Sequence, residues 1–133
     1  MAHPAHPTIA SRMRRRFILM SRDQRLAGEL RAALPEKWEM NSVTSLEAIG
    51  GFEEILQHRF LLLDLEESQA FDPLDVLQEL RVDLMLNLPV FCVGGAQELR
   101  DAARLARADR FFSHAEIVAR LPDFCEQYGW GAS

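Results

Sequence analysis

The sequence has 133 residues, a formal net charge of −5 at pH 7 and 48% hydrophobic residues. This length fits one domain that can bury a core without disulfides or metals, and the apolar content excludes wholesale disorder. An acidic chain is a poor candidate for nucleic-acid binding, which requires a basic face, so we expect no nucleic-acid partner. No stretch reaches the roughly 18 apolar residues of a membrane span, so we expect no membrane partner.

The N-terminal stretch MAHPAHPTIASRMRRR lacks the apolar centre of a signal peptide. Its Pro, His and Ser content predicts a disordered lead-in over residues 1–15, before a folded domain at 16–129. The basic run 12–16 is interpreted as a solvated flank of the first strand. Cys92 and Cys125 lie in apolar settings without metal-ligand spacing. Such free, buried thiols indicate a reducing cytoplasm, so we expect a cytoplasmic protein.

Short apolar runs alternate with segments whose apolar residues recur at helical spacing. The runs are typical of strands buried on both faces, and the segments are typical of amphipathic helices. In chain order, the predicted elements are a strand at 17–20, a helix at 24–34, a strand at 38–43, a helix over 44–57, a strand at 60–64, a helix from 72, a strand at 89–93, a helix at 96–107, a strand at 110–112 and a helix from 113.

Capping and breaking residues set the helix boundaries. Thr44 and Glu47 have the spacing of a capping box, and a Gly-Gly pair then interrupts that helix. Asp72 is the expected N-cap of the third helix, since a Pro follows it at the first helical position. A second capping box begins at Ser113, and Pro122 is expected to kink or divide the last helix.

Five strands alternating with five helices predict an α/β fold, a three-layer (βα)5 sandwich around a five-stranded parallel sheet. In such sheets, functional groups gather beyond the C-terminal ends of the strands. Four loops therefore converge at one edge, with Asp64 in the middle. They are 21–23, 64–66, 94–95 and 113–114.

The stretches FILMSRDQRLAGELRAAL, RFLLLDLEES, PVFCVGG and RADRFFSHAEI resemble the receiver domain of bacterial response regulators. The resemblance covers residues 16–128 and implies a receiver-like (CheY-like) fold and a role in two-component signal transduction or a phosphorelay. It also implies that Asp64, at the end of the third strand, is the candidate phosphoacceptor.

The family's other catalytic positions hold different residues here. Two adjacent acids normally follow the first strand and hold Mg²⁺, which offsets charge on the phosphoryl oxygens. The corresponding residues are Ser21 and Arg22, and Asp23 stands one place too late. The hydroxyl residue after the fourth strand corresponds to Gly94, and the Lys that ends the fifth strand corresponds to His114. The resemblance therefore implies a degenerate receiver, or pseudo-receiver.

Mg²⁺ needs near-octahedral oxygen ligands, so Asp64 with only Glu66 as possible support should bind it weakly, and no cofactor is expected. We expect Arg22 either to pair with Asp64, as guanidinium suits carboxylate, or to point into solvent. The Gly94-Gly95 pair is either a tight turn or a source of open backbone N–H groups for an anion.

Three functions remain open. The first is a non-enzymatic interaction module whose protein partner is a sensor kinase, effector or output domain, with a possible homodimer through the fourth helix, fifth strand and last helix. The second is an atypical receiver phosphorylated on Asp64 by a histidine kinase, with Asp23 or Glu66 supporting a metal. The third is a small-anion or nucleotide binder at Gly94-Gly95. No output domain follows the last helix in this sequence, which leaves a stand-alone receiver and a fragment as alternatives.

Overall fold

Residues 13–131 are described in the computed structural model of the chain. The elements are β1 (Arg15–Met20), α1 (Gln24–Ala33), β2 (Trp38–Val43), α2 (Phe52–Leu56), β3 (Leu61–Asp64), α3 (Pro73–Gln78), β4 (Val90–Val93), α4 (Gln97–Leu105), β5 (Arg110–Phe112) and α5 (His114–Gln127). A 3₁₀ turn lies at Leu46–Ala48, and a π-helical turn, Glu79–Asp83, extends α3. Most of the predicted lead-in lies outside the described residues.

All five strands are parallel and follow the order β2-β1-β3-β4-β5, so β3 is the central strand. Pairing of Met20 with Leu63 brings the residue after β1 level with Asp64. On the other side, Asp64 is aligned with Val93, which in turn is aligned with Phe112. The predicted α/β sandwich with a five-stranded parallel sheet is confirmed, and it places Asp64 in the middle of the carboxyl edge.

Successive strand residues point to opposite faces of the sheet, and helices cover both faces. Leu61 and Leu63 pack with α2, α3 and α4, whereas Phe60 and Leu62 pack with α1 and α5. Stacked rings dominate the second side, where the centroids of Phe17 and Phe60 are 4.8 Å apart. Two cores of this kind hold the central strand, and with it Asp64, in a rigid position.

The second helical region begins differently from the prediction. The expected capping box of Thr44 and Glu47 is not formed. Instead, the hydroxyl of Ser45 accepts a hydrogen bond from the backbone N–H of Ala48 at 3.3 Å and caps the 3₁₀ turn. The break at the Gly-Gly pair is confirmed, since Gly50 has a φ of 134° and α2 starts only after it. A positive φ is accessible to glycine at low cost, and it ends the first turn here.

The last helix is not divided at Pro122. α5 runs continuously from His114 to Gln127, and its predicted capping box forms: the N–H of Glu116 donates to Ser113 Oγ at 3.1 Å. Proline removes one backbone hydrogen bond from a helix interior. Burial of the neighbouring inward side chains, such as Leu121, offsets that loss here.

The basic run near the N-terminus is more structured than a solvated flank. Arg14 makes a two-pronged ion pair with Glu39 of β2, with distances of 2.6 and 3.0 Å, and the next two arginines belong to β1. Arg59, only 4% exposed, donates to backbone carbonyls of Met13 and Trp130. This buried guanidinium ties the beginning of β1 to the segment after α5.

His58 is buried as a neutral ring between α2 and β2. Its Nδ1 donates to the carbonyl oxygen of Glu54 at 2.9 Å, and its Nε2 accepts from the Asn41 amide at 2.8 Å. Burial, together with the nearby Arg16 charge, lowers the pKa of His58 to about 4. The folded protein therefore resists protonating this ring at a pH where the unfolded chain accepts the proton.

We predict that His58 contributes a pH-dependent part of the stability. As the pH falls from 6.5 to about 4, the unfolded chain binds a proton at this residue while the folded chain does not. The free energy of unfolding should then drop by up to about 3 kcal/mol. In urea titrations across this range, His58→Gln should show a correspondingly shallower pH dependence, and equal slopes for the two proteins would contradict this assignment.

Candidate functional site

The candidate site is built around Asp64, the last residue of the central strand. Its side chain is 5% exposed, and both carboxylate oxygens are hydrogen bonded. The hydroxyl of Ser21 donates to Oδ2 at 2.6 Å, and the backbone N–H of Glu66 donates to Oδ1 at 2.9 Å. Asp64 is therefore a buried carboxylate enclosed by its own neighbours.

The environment of Asp64 raises the pKa of its carboxyl group. Burial is the largest cause, and the nearby charges of Asp23 and Glu66 act in the same direction. The hydrogen bonds from the Ser21 hydroxyl and the Glu66 N–H oppose this shift but do not cancel it. The negative charge of Asp64 is thus held at a cost to the folded state.

Ser21 and Asp23 stabilise the loop after β1 and do not form an acid pair. Ser21 Oγ accepts the backbone N–H of Asp23 at 3.0 Å while donating to Asp64. Asp23 is the N-cap of α1, because its Oδ1 accepts the N–H groups of Arg25 and Leu26 at 3.0 and 3.1 Å. The carboxylate nearest in sequence to the first strand is therefore committed to a helix terminus.

Arg22 does not pair with Asp64, so the first of its two expected placements was wrong, and the side chain is about half exposed. Its Nε lies 3.2 Å from Oε1 of Glu67, and its Nη2 donates to the side chain of Gln69 at 3.1 Å. The physical reason is that both oxygens of Asp64 already accept hydrogen bonds from Ser21 and from the N–H of Glu66, whereas Oε1 of Glu67 lies within reach of Arg22.

Glu67 is the site residue that sequence reasoning missed. A run of acids after a strand is usually a solvated rim, yet the side chain of Glu67 is only 6% exposed. Its Oε2 accepts the backbone N–H groups of Gln69 and Ala70 at 2.9 and 2.8 Å. These bonds and the Arg22 guanidinium lower the pKa of Glu67 to about 2. The residues SQA that follow the acids carried no recognisable signal for such a turn.

Glu66 turns away from Asp64 and lies over the loop after β4. Its Oε2 accepts the backbone N–H of Gly95. Gly94 and Gly95 have φ values of 73° and 87°, which confirms the tight turn. The turn also presents the N–H of Gly95 to an anion, which is the carboxylate of Glu66.

His114 does not occupy the end of the fifth strand. β5 ends at Phe112, Ser113 caps the helix, and His114 is the first residue of α5. Its Nε2 contacts Oε2 of Glu29 at 2.5 Å, so the imidazole joins α5 to α1. The correspondence of His114 to the family's lysine stays a prediction.

The residues at this edge do not fit a Mg²⁺ site. Asp64 is enclosed, Asp23 caps a helix and Glu66 is bonded to Gly95. Across residues 13–131, no group of three or more His, Cys, Asp or Glu side chains is arranged to hold a metal ion. These side chains therefore do not support a metal-assisted step.

An open cavity of about 620 Å³ lies beside the edge. Its lining includes Glu66, Glu67 and Asp72 and extends to Gly95 and Leu99, with no lysine, arginine or histidine in the lining. An acidic lining repels phosphate groups, so this cavity is unsuited to a nucleotide.

The two cysteines are free and buried, as predicted. Burial raises the pKa of each thiol to about 12, which makes both groups unreactive at neutral pH. Within the described part of the chain, no helix is long and apolar enough to cross a membrane.

The fold is shared with solved receiver domains. A putative response regulator from Chloroflexus aurantiacus superposes with a TM-score of 0.67 at 15% identity, covering 86% of this chain and 96% of its own. A signal receiver domain from Bermanella marisrubri gives a TM-score of 0.64 at 20% identity, covering 81% and 95%. The phosphorylated form of a cyanobacterial phytochrome response regulator gives 0.62 at 14% identity, covering 85% and 89%.

No protein-family model matches the sequence, and no curated protein matches it. At these identities the solved structures establish a common fold, and the chemistry must be argued from the site itself. The expected receiver-like architecture is therefore confirmed. The degenerate character of the site is not established by this similarity and is argued from the residues of the site.

We predict that Asp64→Asn stabilises the protein by about 1 kcal/mol at neutral pH. The substitution removes a buried charge and keeps groups able to bond to Ser21 and to the N–H of Glu66. Because the folded pKa is raised, the advantage should shrink as the pH falls toward the ordinary aspartate value of 3.8. Thermal unfolding at several pH values measures it, with the exposed Asp83→Asn as the matched control; an unchanged or lowered midpoint for Asp64→Asn would refute it.

Proposed function

We propose that this chain is a pseudo-receiver, a protein-interaction module of bacterial signal transduction that acts by contact and not by phosphorylation. One observation carries the proposal: the carboxylate of Asp64 is enclosed by Ser21 and by the N–H of Glu66, and the two nearby acids, Asp23 and Glu66, are bonded to backbone N–H groups. The receiver fold supports the signalling context. Arg22, at the second acid position, is a cation that binds Glu67.

The proposed contact surface is the face made by α4, β5 and α5. Arginines on this face lie over aromatic rings: Arg104 is 4.7 Å from the ring centre of Phe111, and Arg110 is 5.1 Å from that of Phe112. Leu105, at the end of α4, is 87% exposed. A surface with mixed charges and exposed apolar groups suits a specific, salt-sensitive contact with a sensor kinase, an effector, an output domain or a second copy.

The remaining parts of the proposal follow from the chemistry of the chain. The protein is not an enzyme and uses no cofactor, since its acids are committed to hydrogen bonds within the loops. A reducing cytoplasm suits the two buried free thiols. Nucleic acid and membrane surfaces are not its partners, given the net charge of −5.

The alternative is an atypical receiver that accepts a phosphoryl group on Asp64 from a histidine kinase. It is favoured by the position of Asp64 at the carboxyl end of the central strand. One similar structure is that of a phosphorylated response regulator, which shows that this fold carries the modification in that protein. We do not propose a small anion or a nucleotide as the ligand, because the cavity beside Gly95 has an acidic lining.

Acetyl phosphate with Mg²⁺ decides between the proposal and the alternative. We predict no gain of a phosphoryl group by intact mass, since Asp64 lacks both the metal acids and an open carboxylate. Asp64→Asn is the control for modification elsewhere on the chain. A gain of one phosphoryl group in the natural sequence that disappears in Asp64→Asn would refute the proposal and establish the alternative.

Self-association tests the proposed face. Sedimentation over a range of concentrations should show a dimer that weakens with added salt. Leu105→Glu should raise its dissociation constant at least tenfold, because a buried charge at a contact costs more than about 1.4 kcal/mol. Phe52→Glu, at an exposed side chain of α2 outside this face, is the matched control and should have no effect. A monomer at every concentration, together with no partner recovered by pull-down, would count against the interaction role.

A further inference from the structure

The side chain of Glu66 connects two loops at the carboxyl edge of the sheet. Glu66 lies in the loop after β3, where its backbone N–H donates to the side chain of Asp64, and its Oε2 accepts the N–H of Gly95 in the turn after β4. The side chain is exposed, so burial does not force it into this position. A specific hydrogen bond with a charged acceptor holds it there.

The turn leaves room for this carboxylate only because it lacks a side chain. A Cβ on Gly94 would lie 2.9 Å from both Cγ and Oε2 of Glu66. Such a contact would displace the Glu66 side chain or shift the turn, and the φ of 73° at Gly94 already disfavours other residues. Glu66 and Gly94 are therefore a matched pair: the acid is long enough to reach the turn, and the glycine is small enough to admit it.

The same turn is tied to the end of β5. The Nε of Arg100 donates to the carbonyl oxygen of Gly94 at 2.9 Å, and its Nη2 donates to the carbonyl oxygen of Phe112 at 3.2 Å. The N–H of Gly94 also donates to the Phe112 carbonyl at 2.9 Å. A continuous series of bonds thus runs from Asp64 through Glu66 and the turn to β5.

We propose that Glu66 is a built-in anion that clamps the turn after β4 and, through Arg100, the end of β5. The carboxylate fills the place where the Gly95 N–H would otherwise receive an external anion. The clamp keeps this edge in one arrangement without a phosphoryl group or a metal. The clamp itself does not depend on the proposed function. Its effect on a partner does rest on the proposed function, since β5 lies on the proposed contact face.

Amide hydrogen exchange tests the clamp without any partner. In Glu66→Ala, the Gly95 amide should exchange about tenfold faster, as expected for loss of a bond to a charged acceptor. Glu66→Gln keeps an acceptor oxygen without the charge and should show a smaller increase. Glu98→Gln removes an exposed carboxylate of α4 and should leave the rate unchanged.

The amide of Leu65, which donates to Val93 within the sheet at 2.9 Å, reports whether the fold is intact in each variant. The Phe112 amide resonance should shift in Glu66→Ala and stay in place in Glu98→Gln, which tests the connection to β5. Equal Gly95 exchange in the natural sequence and in Glu66→Ala would overturn the clamp. Equal Gly95 exchange in the natural sequence and in Glu66→Gln would show that the charge of Glu66 is not needed and would overturn its anionic character.

The clamp and the proposed function fail in different experiments. Accelerated Gly95 exchange in a protein that never self-associates or binds a partner would support the clamp and contradict the interaction role. Unchanged exchange in a protein whose dimer responds to Leu105→Glu would overturn the clamp and leave the interaction role supported.

Discussion

A carboxylate buried at the end of the central strand must be hydrogen bonded, and the carboxyl edge of the sheet is organised around that need. Asp64 obtains its donors from Ser21 and from the N–H of Glu66. The Ser21 hydroxyl also receives the N–H of Asp23, which fixes the start of α1. One buried charge therefore sets the conformation of two loops.

Three other acids at this edge follow the same rule, since each one accepts backbone N–H groups of a loop or of the first turn of a helix. Asp23 caps α1, Glu66 holds Gly95, and Glu67 closes the turn at Gln69. The negative charge of these three acids is thus balanced by amide dipoles and, at Glu67, by the Arg22 guanidinium. This arrangement is the physical basis for proposing a domain that works by contact: the carboxylates that would serve phosphoryl transfer are already used in structure.

Local patterns predicted what depends on neighbours along the chain. The apolar runs gave the correct positions of the strands, and Ser113 capped the last helix as its spacing indicated. Predictions failed where residues compete for one partner or where packing outweighs a local preference. Ser45, and not Thr44, caps the 3₁₀ turn, and the last helix is not divided at Pro122. Arg22 pairs with Glu67 and not with Asp64. A partly exposed ion pair contributes about 1 kcal/mol or less, so the contacts within reach in the folded chain decide which acid Arg22 binds.

The sequence by itself determined the alternation of strands and helices, the parallel sheet and the address of Asp64, because burial of apolar runs is a property that each segment carries alone. Only the tertiary structure decided that Asp64 receives the Ser21 hydroxyl and that Glu66 receives the N–H of Gly95. Ser21, Glu66 and Gly95 belong to three different loops, and their distances are set by the register of the strands before them. A shift of an ångström changes which acceptor is within reach of a donor, and the composition of a single loop carries no information about such a distance.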